Sequence, residues 1–121
     1  MRLLKPSEID YLGRKNTKRL EKARAKRLQA ERDRFTWQLV RVAVYNRDGG
    51  KCRVCEKALK LHSRDPYQEA HTHHIVYRSR GGTDDLSNLV TLCGLHHAME
   101  HQHTLGITGT ADMLRIDWMP Q

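Results

Sequence analysis

A chain of 121 residues with only 6% aromatic residues and a net charge of +8 has room for one small core plus an appendage, not two independent cores. No stretch is apolar enough to span a bilayer, and Met1–Pro6 is too short for a secretory leader, so an intracellular, cytoplasmic protein is expected. The three cysteines, an odd count, are accordingly read as metal thiolates and not as disulfides. Charge is unevenly spread: residues 1–50 hold 14 Lys/Arg against 6 Asp/Glu, whereas residues 51–121 hold 8 of each. That asymmetry points to a polyanionic partner, because Lys/Arg contacts to phosphate supply most non-specific nucleic-acid affinity.

In chain order, residues 1–13 read as an irregular lead punctuated by Pro6 and Gly13. A helix is expected from Asn16 or Thr17 to about Tyr45, kinked near Arg34. Its half from Lys18 to Arg34 is rich in good helix formers but poor in apolar residues and should be solvated. Leu28, Phe35, Leu39 and Val42 share a face, with Trp37 and Val40 nearby, and are expected to pack on the rest of the domain. Asn46–Gly50 turns the chain, and Ala70–Tyr77 reads as a short strand. Arg78–Asp85 is a polar loop around a double glycine, followed by apolar anchors at Leu86, Leu89, Val90 and Leu92. Leu95–His103 reads as a short helix, and Met113–Trp118 as an edge strand.

The chemistry is concentrated between Cys52 and His101. Cys52-x2-Cys55 and Cys93-x2-His96 are two ligand pairs, each on a tight turn, as a tetrahedral zinc site requires. The 37 residues between the pairs must hold a folded insert. His97 in place of His96 as fourth ligand is an alternative. Bound zinc would add about 10–16 kcal/mol to a domain with so small a core. A structural zinc leaves His73, His74, His97 and His101 unused. His97 and His101, at i and i+4 of a helix, lie on one face and suit a single ion. His73 and His74, neighbours on a strand, point to opposite sides and suit different tasks. An imidazole titrating near neutrality is suited to general-base work. His71 shares the strand face of His73, and Arg78 and Arg80 are candidate phosphate clamps; His62 and His103 carry no separable signal.

His73-His74-Ile75-Val76-Tyr77-Arg78-Ser79-Arg80-Gly81-Gly82, then Asn88-Leu89-Val90-Thr91-Leu92-Cys93, then His97 and His101, resembles the motif of the HNH endonucleases. Arg47-Asp48-Gly49-Gly50-Lys51-Cys52-Arg53-Val54-Cys55 is similar to the approach found in zinc-containing members. The resemblance covers residues 41–103. It implies an α+β chain: a ββα-metal (His-Me finger) core stapled by a Cys3His zinc site, behind a long basic N-terminal helix. By motif position His74 is the general base, and Asn88 holds the loop between the two strands and orients His74. His73 and His97 are ligands of a catalytic cation, and His101 is a further ligand found in some members. Most zinc-bearing relatives carry a fourth cysteine where this chain has His96.

The expected organisation is a basic lead and helix over 1–40, a nuclease domain over 41–105 and a tail over 106–121. The implied activity is metal-dependent hydrolysis of DNA phosphodiester bonds, by nicking or double-strand cleavage, with double-stranded DNA as partner. Structural Zn2+ and a catalytic Mg2+, Mn2+ or Ni2+ are the expected cofactors. The alternative is a non-catalytic zinc module that binds nucleic acid or serves phage packaging machinery, in the host cytoplasm if the chain is phage-encoded. Retention of His74, Asn88 and His97 together speaks against it.

Overall fold

Pro6 opens the first helix, where its fixed φ suits the first turn and its missing N–H is not needed. In the computed structural model, which describes residues 3–119, α1 runs Pro6–Arg47, and the Lys5 carbonyl accepts from the N–H groups of Glu8 and Ile9. The expected irregular lead is therefore helical from Pro6, with Gly13 absorbed inside; its first two residues, Met1 and Arg2, lie outside the described residues. The helix continues past Arg34 without interruption.

The chain divides into two units, Met1–Trp37 and Gln38–Gln121. In the first, every described residue up to Thr36 is exposed except Glu8. In the second, the end of α1 packs through Val40, Arg41, Val44 and Tyr45, a stripe at i, i+1, i+4 and i+5. This corrects the expected apolar face: Leu28, Phe35, Leu39 and Val42 are 40%, 67%, 56% and 37% exposed, while Val44 is fully buried. The buried stripe is marked by polar anchors as well as apolar residues. The Tyr45 hydroxyl donates to the Leu59 carbonyl at 2.7 Å, and Arg47 donates to the carbonyls of Leu86 and Leu89.

The rest of the second unit is a set of small antiparallel pairs around one helix. β1 (His71–His74) pairs with β2 (Leu89–Leu92), His73 opposite Val90 and His74 opposite Leu89. β1 stops four residues in, short of the expected Tyr77, because the Asn88 side chain takes up the backbone of Val76. All four residues of β2, the polar Thr91 among them, are buried, so burial is continuous along it and does not alternate. Leu86, expected as an anchor, is 46% exposed. α2 (Gly94–His101) follows, capped by the Cys93 sulfur, which accepts from the His96 N–H.

Ile107 and Ala111, from the segment 106–121 read as a tail, are part of the core. β3 (Leu105–Gly109) pairs with β4 (Leu114–Trp118), so the expected edge strand is one half of a hairpin. Leu105 and Ile107 join Leu59, Ala70, Ile75, Val90, Leu92, Cys52 and Cys93 in one buried cluster. Among the described residues no helix is long and apolar enough to cross a membrane.

Candidate metal centres and active site

The first cluster is built from a turn and a helix start. Cys52 and Cys55 follow the Gly49-Gly50 turn, and the Arg53 N–H is tied to the Thr91 carbonyl on β2 at 2.9 Å. That places them against Cys93 and His96 at the start of α2, with one ligand atom from each residue mutually within 4.8 Å. The Cys55 and Cys93 sulfurs are 3.9 Å apart, and His96 Nδ1 lies 3.1 Å from Cys93 and 3.7 Å from Cys52. A tetrahedral zinc with ordinary bond lengths separates its ligands by about 3.6–3.8 Å, so the Cys55–Cys93 and Cys52–His96 spacings fit, and the Cys93–His96 approach is about 0.5 Å shorter. His96, not His97, joins the cysteines.

Electrostatics agree with that fit. Burial pushes the Cys93 thiol up to about 11, helped by the charge of Cys52 beside it. Burial also raises Cys52, but backbone N–H groups of Cys55, Cys93 and Val54 aimed at its sulfur outweigh this and bring it below its ordinary value. Burial keeps His96 neutral by lowering its pKa.

The second cluster takes two of its members, His97 and His101, from the rest of α2. His97 Nε2 and His101 Nε2 approach to 3.1 Å, and a ring nitrogen of His73 lies within 4.8 Å of both. Two imidazole nitrogens at 3.1 Å are at the separation of neighbouring ligands on one ion. His71 stacks on His97 at 5.0 Å and holds the Pro66 carbonyl at 2.8 Å, so it braces the His97 ring. Burial, then the charge of neighbouring histidines, brings His73 and His97 down to about 4. Both are thus neutral donors at neutral pH. They line a cleft of about 310 Å3 with Thr72, His74, Tyr77, Arg78, Ser79 and His101.

His74 stands in the same cleft. Its Nε2 is 2.7 Å from Asp84 Oδ1, and Arg78 grips that carboxylate with Nε and Nη2 at 3.2 and 3.0 Å. Asp84 as acceptor favours the His74 proton on Nε2, which leaves Nδ1 as the basic nitrogen, while the Arg78 Nε–H at 3.2 Å from that same Nε2 favours the opposite tautomer. The His74 hydrogen bond, then Arg78, holds Asp84 below the usual carboxylate range.

Asn88 fastens the loop that carries Asp84. Its Oδ1 accepts from the Val76 N–H at 2.8 Å, and its Nδ2 donates to the carbonyls of Val76 and Thr83 at 3.1 and 2.8 Å. The glycine pair makes that closure possible. Gly81 has φ of 85°, and a Cβ on Gly82 would meet the Val76 carbonyl oxygen at 1.8 Å. Arg78 and Arg80 sit on a 3₁₀ turn, both exposed, with the Arg80 guanidinium 5.9 Å from the Tyr77 ring centre.

Asp84, Tyr77 and Glu100 are residues of this site that the sequence reading did not single out. Glu100 could have been flagged by helical register, since it stands between His97 and His101 on α2. Asp84 sits ten residues beyond His74 in a loop with a second aspartate beside it, and nothing local distinguishes the two. The model of the HNH endonuclease family matches residues 52–103, and this segment is an HNH domain. Neither the curated proteins nor the solved structures yield a match to the chain.

Proposed function

We propose that the chain is a metal-dependent endonuclease acting on double-stranded DNA. The observation that carries this reading is the shared cleft: three imidazoles, His73, His97 and His101, converge beside an Asp84-held His74. β1, β2 and α2 are read as the ββα-metal core. The catalytic unit is taken as residues 38–121, wider than 41–105, because β3–β4 supplies core residues.

The water proton passes to Nδ1 of His74 as the water oxygen bonds to phosphorus, and the P–O3′ bond breaks; the departing O3′ takes a proton from solvent, which leaves 5′-phosphate and 3′-hydroxyl ends. Asp84 stabilises the imidazolium so formed and keeps the ring in its productive tautomer. A divalent cation held by His73, His97 and His101 would offset charge on the phosphate and the departing oxygen. Asn88 fixes the loop on which Asp84 rides. Arg78 and Arg80 stand at the rim, where an incoming phosphate meets their guanidinium groups. Cys52, Cys55, Cys93 and His96 hold a structural zinc and have no chemical part.

On α1, Lys15, Lys18, Arg19, Lys22 and Lys26 recur at i, i+3, i+4, i+7 and i+11 and so form one cationic face. We assign that face to the DNA backbone. Reduced thiolates agree with an intracellular setting, the host cytoplasm if a phage encodes the chain.

The deciding experiment is cleavage of supercoiled plasmid by zinc-loaded protein with Mg2+, Mn2+ or Ni2+, without added metal, and with His74→Ala. Nicked or linear product from the wild type alone is expected, with His74→Ala at least 100-fold slower. Intact plasmid under every metal would leave the zinc-stapled binding module as the correct reading.

A further inference from the structure

Glu100 has no task in the chemistry assigned so far. It lies on α2 between His97 and His101, is 7% exposed, and accepts the Tyr77 hydroxyl on Oε1. Its other oxygen has no hydrogen-bond partner; nor has Nε2 of His73, which is 3% exposed as a residue. These two buried orphan atoms face each other across 3.6 Å. The gap is about 0.6 Å longer than an ordinary N–H···O bond, within reach of a small ring rotation.

With Glu100 ionised, one proton placement satisfies both atoms. An ionised carboxylate accepts and cannot donate, so the hydrogen belongs on Nε2 of His73. The lone pair is then on Nδ1. Tyr77 decides which carboxylate oxygen remains for this use, because its hydroxyl already occupies Oε1. The same tyrosine stacks on His101 at 6.1 Å and meets His73 edge-on at 5.9 Å, so one side chain registers two imidazoles and the carboxylate.

We propose that Glu100, held by Tyr77, is the positioning residue of the imidazole site: it accepts the Nε2–H of His73 and aims Nδ1 at the ion shared with His97 and His101. The inference rests on reading those three histidines as a cation site. A carboxylate behind a ligand imidazole fixes its tautomer and orientation and raises its basicity. It also gives the site a negative charge that three neutral imidazoles lack, which compensates part of a dication's charge where water is scarce.

The test uses the full chain with its thiolate site filled, and Zn2+ or Ni2+ as the probe ion for the second site. Long-range 1H–15N NMR of the zinc-loaded wild type is expected to show His73 protonated at Nε2. Glu100→Gln should weaken second-site binding, read by calorimetry, by about 10–100-fold while circular dichroism and the first-site stoichiometry stay unchanged. Tyr77→Phe keeps the carboxylate and should lose less than Glu100→Gln does. Second-site affinity within twofold of wild type in Glu100→Gln, or His73 unprotonated at Nε2, would overturn the proposal. If Glu100→Gln does not fold, the wild-type tautomer decides alone. A wild type that binds no second ion removes the cation-site reading itself, an outcome distinct from a bound ion indifferent to Glu100.

Discussion

Asp84 places its Oδ1 2.7 Å from Nε2 of His74, on a loop whose position depends on the side chain of Asn88. On the proposed reading, this contact directs the base function of His74 to Nδ1 and gives its imidazolium a counter-charge. Replacing Asp84 by Asn keeps the shape and removes the charge. Single-turnover nicking should slow by about 10–100-fold, below the full range for general-base loss because the site is partly solvated. A rate within twofold of wild type would show that Asp84 only pairs with Arg78.

Asn88→Ala should act through the loop. The Val76 N–H and two carbonyls lose their partners, at about 1–2 kcal/mol of stability. Cleavage should fall further than stability does, because Asp84 loses its register against His74. Chemical denaturation and nicking rates on the same preparation separate the two. Equal behaviour to wild type in nicking would sever Asn88 from catalysis.

Zinc removal is expected to unfold residues 38–121, since Cys52 and Cys93 belong to the buried core cluster. Zinc contributes about 10–16 kcal/mol in small sites, more than a core this size supplies. A strong chelator at neutral pH should abolish strand and α2 signals in NMR. His96→Cys should keep the fold and the metal, because four thiolates make an equally ordinary tetrahedral set. A folded, dispersed spectrum after complete zinc removal would refute this.

The metal series tests the second site. Imidazole nitrogens favour Mn2+, Ni2+ or Zn2+ over Mg2+, so cleavage is expected with Mn2+ and Ni2+ as well as with Mg2+. Strict dependence on Mg2+ would count against coordination by His73, His97 and His101.

Acid stability should depend on Asp48. Its side chain is 1% exposed and accepts from Arg47 at 3.0 Å, Arg53 at 2.9 Å and the Thr91 N–H at 2.9 Å. Burial alone would raise its pKa, but these donors outweigh burial and hold it below the ordinary 3.8. The folded value lies below the unfolded one, so its stabilisation is complete above about pH 4 and fades as pH falls through the folded value. Asp48→Asn should therefore cost about 2 kcal/mol at pH 7 and progressively less below pH 4. Denaturant midpoints of the two proteins that stay equally far apart down to pH 2 would contradict the assignment.

On α1, changing Lys15, Lys18, Arg19, Lys22 and Lys26 to Gln should reduce the salt slope of DNA binding by about 0.9 for each phosphate left without a cationic partner. Unchanged slope and cleavage would assign the helix to a protein partner, packaging machinery being one such candidate.

Much of the site was legible as residue types at fixed spacing. Cysteine pairs on turns and His97/His101 one helical turn apart report their chemistry locally, because ligands of one ion must converge and short separations constrain how. The basic character of α1 was equally local, though its start at Pro6 was hidden by the habit of reading Pro and Gly as breaks. What sequence left open were relations across the fold. The packing stripe of α1 is set by which carbonyls and core residues its last turns meet, so Val44 and Tyr45 are used while Phe35 and Leu39 stay exposed. The partnership of β3 with β4, the choice of Asp84 over Asp85 for His74, and the meeting of Glu100 with His73 arise only when β1, its loop and α2 are brought together. Such contacts depend on backbone positions far apart in the chain, and no local pattern encodes which of several equivalent side chains arrives.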